Sequence, residues 1–187
     1  MIGKLPTSLQ IGNEQCKIRT DYRDILLIMQ ACEDDELTKF EKSICVLKIL
    51  YINPPNLDFS EAYEKALWFI SGGKEDELET NPIQRPRLYS WEQDEQMIFS
   101  AINKIAGKEI RSVEYMHWWT FLGLFNEIGE GVFSSVLNIR NKKIRHKKLE
   151  KYEQEFYKEN KSIIDLKKKE NIRTSDEIEA INNLLNL

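Results

Sequence analysis

Residues 113–129 read VEYMHWWTFLGLFNEIG, with apolar side chains on nearly every face of a helical period. A helix that is apolar all round needs neighbours on most sides, which puts this one at the centre of a helical bundle. Ser112 is the expected opening residue. Trp118 and Trp119 are adjacent, and adjacent helical positions point about 100° apart, so the two rings are expected to meet different neighbours.

Upstream, the stretch SWEQDEQMIFSAINKIAG (90–107) predicts a helix with Ile98, Ala101, Ile102 and Ile105 on its apolar face. Ser90 with Gln93 three residues on matches a capping box, and Gly107 is a natural stop. Residues 74–88 are acidic at first and then hold Pro82 and Pro86, which predicts a mobile surface loop. Before it, a helix starting after Asp58 or Ser60 buries Ala62, Ala66, Phe69 and Ile70 and ends at Gly72-Gly73. Another is expected over about 37–51, with Phe40, Ile44, Leu47 and Leu50 or Tyr51 inward, and Asn53-Pro54-Pro55 stops it. The first helix, DYRDILLIMQACED, is capped by Thr20 or Asp21. Tyr22, Ile25, Leu26, Met29 and Cys32 or Ala31 recur along it at helical spacing. Residues 8–20, SLQIGNEQCKIRT, place Gly12-Asn13 between two short segments, the pattern of a small β-hairpin.

Downstream, 132–140 predicts a short helix. From 141 to about 169 charge dominates, and apolar residues thin to Ile144, Leu149 (or Tyr152), Phe156, Ile163 and Leu166. This reads as a basic helix leaving the core. Thr174 with Glu177 opens a last segment, 171–187, expected as a C-terminal helix or flexible tail. The fold class is therefore mainly α: a single-domain helical bundle over 1–170 with a small N-terminal β-hairpin.

Composition agrees. The 187 residues include only 8 Gly and 5 Pro, with 41% hydrophobic and 31% charged residues, which favours helices over strands and turns. No apolar run is long enough for a membrane span, and MIGKLPTSLQIG lacks the basic and apolar regions of a secretory signal. The expected location is the cytoplasm of the host cell. Cys16, Cys32 and Cys45 are too few and too uneven for a disulfide framework, and Cys32 and Cys45 are expected as buried reduced thiols. Glycine-rich nucleotide loops, a nucleophile elbow and an HExxH pair are all missing, and only His117 and His146 could serve as imidazoles. No catalytic, cofactor or metal site is expected. Asp34/Asp35 and Asp94/Glu95 read as solvated helix faces.

A few residues stand out against this background. His117 beside Trp118 reads as a core or near-surface histidine hydrogen-bonded to a carboxylate. Arg23 falls on the inward side of the first helix, near Tyr22 and Leu26. A buried arginine needs a carboxylate, so Arg23 or Arg140 is expected to pair with Asp94 or Glu127. The net charge of −4 is uneven: residues 140–169 hold +7 and the rest −11. Lysines with Tyr152, Phe156 and Tyr157 among them could serve nucleic acid. Glu150, Glu153, Glu155 and Glu159 at helical spacing, with Glu155–Lys158 and Glu150–Lys147 as pairs, point instead to a solvated mixed-charge helix.

Over Glu114–Arg140 the sequence resembles the bacteriophage gene-product-fifteen family, found in tail gene clusters of long-tailed phages of Gram-positive bacteria. His117-Trp118-Trp119, Phe121, Leu124 and Ile139-Arg140 carry the likeness. Thr20-Asp21-Tyr22-Arg23, and Tyr89-Ser90 followed by Asp94, Ile98 and Ala101, extend it from about residue 4 to 170. The resemblance implies a non-enzymatic role in tail morphogenesis, as a tail assembly chaperone binding the tape-measure protein and recruiting the tail-tube protein. Self-association into a homo-oligomer is a further option, and neither membrane nor nucleic acid is an expected partner. A structural component of the tail is the alternative, and a nucleic-acid-binding regulator using 140–169 comes after it. Arg23, Asp94, His117, Trp118, Trp119, Phe121 and Arg140 follow as structural or interface residues. Leu122, Phe125 and the tryptophan pair would supply apolar surface, and the basic segment would meet acidic stretches of a client.

Overall fold

The computed structural model describes residues 3–53, 59–74 and 87–167. It is mainly helical, with a two-stranded antiparallel hairpin near the N-terminus. The described residues fall into two compact units, one ending at Lys74 and one spanning 87–167. The expected loop over 74–88 and the expected helix or tail over 171–187 lie almost wholly outside the described residues.

In the first unit, β1 (Ser8–Ile11) pairs with β2 (Glu14–Lys17), Leu9 opposite Cys16 and Ile11 opposite Glu14. Gly12 takes a positive φ of 53° in the connecting turn, a conformation that glycine adopts without a side-chain clash. Leu9, Ile11, Cys16 and Ile18 are buried and Gln10 is not, as strand alternation requires. Three helices follow: α1 (Tyr22–Glu33), α2 (Lys39–Leu50) and α3 (Phe59–Ile70). α1 packs on α2, α2 on α3, and α3 against β1. Asp21 caps α1 by accepting from the Arg23 N–H. Thr38 and Glu41, three residues apart in the sequence, form a reciprocal capping box on α2.

The stripe read for α3 is the one observed: Ala62, Ala66, Phe69 and Ile70 are buried, and Gly72 and Gly73 follow in left-handed conformation. The stripes of α1 and α2 are rotated from those expected. α1 buries Tyr22, Ile25 and Ile28, which turns Arg23 outward. α2 buries Ser43, Val46, Leu47 and Leu50, and Phe40 is 64% exposed, stacked on Phe59 at 6.0 Å. The thiols differ as well: Cys16 is the buried one, Cys45 is half-buried and Cys32 is exposed.

The unit is closed by Arg19, which sequence reasoning passed over. Its Nη1 donates to the carbonyls of Lys48, Ile49 and Tyr51 at 3.3, 2.7 and 3.0 Å, and its backbone N–H to Leu50 O at 2.7 Å. These are the orphan acceptors at the end of α2. A cation there also suits the negative end of the helix dipole. Tyr51 is buried and its hydroxyl donates to Ala62 O at 2.8 Å, so burial pushes the phenol above its ordinary pKa.

The second unit holds α4 (Glu95–Ala106), a short 3₁₀ turn (Ile110–Ser112), α5 (Trp118–Asn126), α6 (Val132–Ile144), α7 (Lys151–Glu159) and α8 (Lys161–Ile164). α4 packs against the turn, α5 and α6, while α8 packs on α6 and α7. Gly107 ends α4 in left-handed conformation, as read. α5 begins five residues later than expected. Ser112 donates its hydroxyl to Glu109 O at 2.8 Å and closes the 3₁₀ turn instead of capping α5. Nor is the basic segment one departing helix. α6 runs on to Ile144, the chain turns at His146, and α7 and α8 come back against α6. Val136, Ile139 and Ile164 form a buried cluster there, flanked by Met97, Leu149, Phe156 and Tyr157.

Candidate interaction surfaces

The second unit is organised by one buried ion pair. Arg140 is 4% exposed and Asp94 0%. A guanidinium has five N–H donors, and here each has an acceptor. Nη1 and Nη2 grip the Asp94 carboxylate at 2.5 and 2.9 Å. Nε donates to Ile164 O at 2.6 Å, Nη2 also to Ile163 O at 2.7 Å, and Nη1 to Leu88 O at 3.0 Å. Asp94 in turn accepts from the Ser90 N–H at 3.0 Å. A buried pair repays its desolvation only when such extra hydrogen bonds complete it. This pair ties the chain before α4, the start of α4, α6 and α8 together.

Of the pairings expected, Arg140–Asp94 is present. Arg23 is 41% exposed and binds Asp21 at 3.0 Å on its own helix, with its guanidinium 4.6 Å from the Tyr22 ring centroid. Glu127 is exposed at the end of α5. Asp94 is therefore no part of a solvated face. The capping box at Ser90 is half formed: Ser90 Oγ accepts from the Gln93 N–H at 3.2 Å. The Gln93 side chain instead spans to α8, donating to Asp165 O at 3.0 Å and accepting from the Lys167 N–H at 2.9 Å.

His117 is buried and is the N-cap of α5, where Nδ1 accepts from the Trp119 N–H at 3.0 Å. Nδ1 is the acceptor in that bond, a capping role that the carboxylate-partner reading did not anticipate. Trp118 and Phe121 are fully buried and stack at 5.6 Å, while Trp119 is half-buried, so the two tryptophans do face different surroundings. Phe121 continues to Phe99 at 6.1 Å and Trp91 at 6.3 Å, and Trp91 to Phe125 at 5.1 Å. These rings join α4 to α5 as core, so Trp118 and Phe121 offer no surface to a client.

An open apolar surface lies along an adjacent face of α4. A groove of about 670 Å³ is floored by Met97, Ala101 and Ile105, one ridge of α4, and walled by Ile128, Val132 and Phe133. Ile105 and Val132 are 39% and 58% exposed. Ala101 and Ile105 were read from the sequence as buried. The observed inward face is Ile98, Phe99 and Ile102, which leaves them on the outward ridge. Lys104 on α4 and Glu130 just before α6 also line it. Gly129 and Gly131 line it too, and a Cβ at either would meet nothing within 4 Å.

Electrostatics sort the basic segment into two sets. Lys142 binds Glu153 at 2.6 Å, Glu153 also accepts from Asn138 Nδ2 at 2.8 Å, and Glu153 is 2% exposed. The Lys142 hydrogen bond holds the Glu153 carboxyl below its usual range. Lys143 binds Asp165 at 2.5 Å and the Tyr157 hydroxyl at 2.7 Å. Arg145, His146, Lys147, Lys148 and Lys151 are exposed, and among the described residues none of them is in an ion pair. Elsewhere in the unit, the Arg111 side chain donates to Glu109 at 2.8 and 2.9 Å, which lowers that carboxyl to about 2.

Among the described residues no group of three or more His, Cys, Asp and Glu could hold a metal ion, and no helix is long and apolar enough to cross a membrane. A family model described as Bacteriophage Gp15 protein matches residues 1–166. No curated protein and no solved structure matches the chain.

Proposed function

The chain belongs to the Bacteriophage Gp15 protein family, and from that premise we propose that it is a tail assembly chaperone that holds the tape-measure protein through the groove beside α4. Family membership supports a structural or morphogenetic role in the phage. The observation that carries the finer reading is the open ridge of Met97, Ala101 and Ile105. Its four-residue spacing accepts the matching ridge of another helix. The occupant is an amphipathic helix whose apolar stripe lies on the ridge, with acidic residues toward Lys104 and basic residues toward Glu130. Long α-helical clients expose many such stripes before they assemble, and covering them prevents aggregation.

Co-expression with the tape-measure protein of the same tail cluster, followed by co-purification, tests this. The expected result is a stable complex that keeps the tape-measure chain in solution, with the chaperone missing from purified virions by mass spectrometry. An insoluble tape-measure chain, with this protein recovered from virions, overturns the reading in favour of a structural tail component.

A further inference from the structure

We propose that the turn between α6 and α7 is a second binding site, built to take a short acidic polypeptide segment. It is separate from the groove and does not rest on the tape-measure reading. The turn is held in shape from within. The His146 N–H donates to Lys143 O at 3.1 Å and the Lys147 N–H to Lys142 O at 2.8 Å, closing the end of α6 as a Schellman motif. His146 sits at the left-handed position with φ 52°, the one positive-φ non-glycine among the described residues. Glycine is the residue that takes this position without cost, so the turn retains some strain. On the far side, Leu149 packs against the Val136, Ile139 and Ile164 cluster, and the Glu150 N–H donates to Glu153 at 2.7 Å.

Pinned at both ends, the turn presents Arg145, His146, Lys147, Lys148 and Lys151 to solvent. Neighbouring cations such as Lys147 and Lys148 lie within a screening length of about 8–10 Å and repel one another. The same stretch supplies Lys142 and Lys143 with buried or bridging carboxylates but leaves Arg145, Lys147, Lys148 and Lys151 without one. An incoming anion relieves that repulsion and meets donors that are already in place.

The geometry favours a peptide over nucleic acid. Four exposed cations, Arg145, Lys147, Lys148 and Lys151, fall within seven residues, and the exposed Lys158, Lys161 and Lys167 come later in the chain, beyond Glu153 and Glu155. The non-helical part of the patch, 147–150, spans at most about 13 Å. That length suits two or three carboxylates on an extended segment. It is short for a phosphate backbone, which gains affinity by releasing counterions along a longer track. Glu150 lies inside the patch and Glu155 beyond it, and the whole chain carries −4. A continuous phosphodiester must pass those carboxylates, whereas a peptide can set an amide or a lysine against Glu150.

The test uses the full chain and two labelled probes of equal charge, a polyglutamate peptide and a single-stranded oligodeoxynucleotide, read by fluorescence anisotropy. The expected result is tighter binding of the peptide, weakening as salt rises from about 50 to about 200 mM. The triple variant Arg145→Ser, Lys147→Ser, Lys148→Ser should lose about tenfold or more in affinity while melting like the wild type. The control triple Lys108→Ser, Lys158→Ser, Lys161→Ser, with the same change in net charge, should stay within about twofold. If the first triple fails to fold, the single Lys148→Glu replaces it with the same expected direction. Equal losses in the two triples, no peptide binding at low salt, or tighter binding of the oligonucleotide would each overturn the proposal.

Discussion

Each unit is fastened by one arginine that gathers backbone carbonyls, and the two arginines work under different conditions. Arg19 is half-buried and its side-chain hydrogen bonds go to the carbonyls at the end of α2. Water can stand in for much of what it does. Arg140 is buried and meets a buried carboxylate as well as three carbonyls. Neither partner of that pair can be removed without stranding a charge in the interior. The first unit therefore depends on apolar stripes with a polar clasp at the rim, and the second on a charge pair that the rest of the unit is built around.

The strongest way to break this comparison is Asp94→Ala. It should destabilise the second unit by about 3–5 kcal/mol, read by chemical denaturation of the full chain. Arg19→Met should cost less, about 1–2 kcal/mol, because the freed carbonyls stay within reach of solvent. If the two variants melted alike, the distinction between the units would fail. The capping bond at His117 is weaker still. His117→Ala should cost about 1 kcal/mol, and His117→Asn, whose amide oxygen can accept from the Trp119 N–H, should recover most of it. His146→Gly has the opposite sign and should stabilise by about 0.5–1 kcal/mol, since glycine takes φ 52° without strain.

The gentlest probe is pH. The Arg111 hydrogen bonds lower Glu109 to about 2, and the Lys142 hydrogen bond lowers Glu153. Groups whose folded pKa is depressed contribute fully above their unfolded value, about 4.3 for glutamate, and lose that contribution as pH falls toward the folded value. Denaturation midpoints should thus hold steady from neutrality to about pH 5 and decline below it. Glu153→Gln should make the decline shallower, and an unchanged slope in that variant would remove Glu153 from the account.

What could be read in the sequence follows from how local each signal is. The α3 stripe, the Gly72-Gly73 and Gly107 stops and the Gly12 turn depend on neighbours within a few residues, and all four are where the pattern put them. The Arg140–Asp94 pair was legible because an arginine on a buried face has so few ways to be satisfied. Arg23 was misplaced because Tyr22 and Ile25 belong to both stripes, and Leu26 and Met29 turned the expected one toward Arg23 whereas Ile28 turns the observed one away. The returning α7 and α8 were missed because Glu153 looks like any surface acid in a lysine-rich run, and only the fold sets it against Lys142 and Asn138. Arg19 carried no signal, since its partners are carbonyls and every residue has one. The groove was hidden by the same ambiguity as Arg23: Ala101 and Ile105 fit an inward stripe, and Phe99 took that place.

The groove is where the functional account is most exposed to test. Gly131 has an extended backbone and open space above it, so Gly131→Trp should fill the groove and leave the fold intact. Co-purification of the tape-measure protein with wild type and with Gly131→Trp, both shown to melt alike, is the most direct measurement. The account predicts a complex with the wild type and its loss in the variant. Equal recovery of the tape-measure chain with both proteins would contradict it.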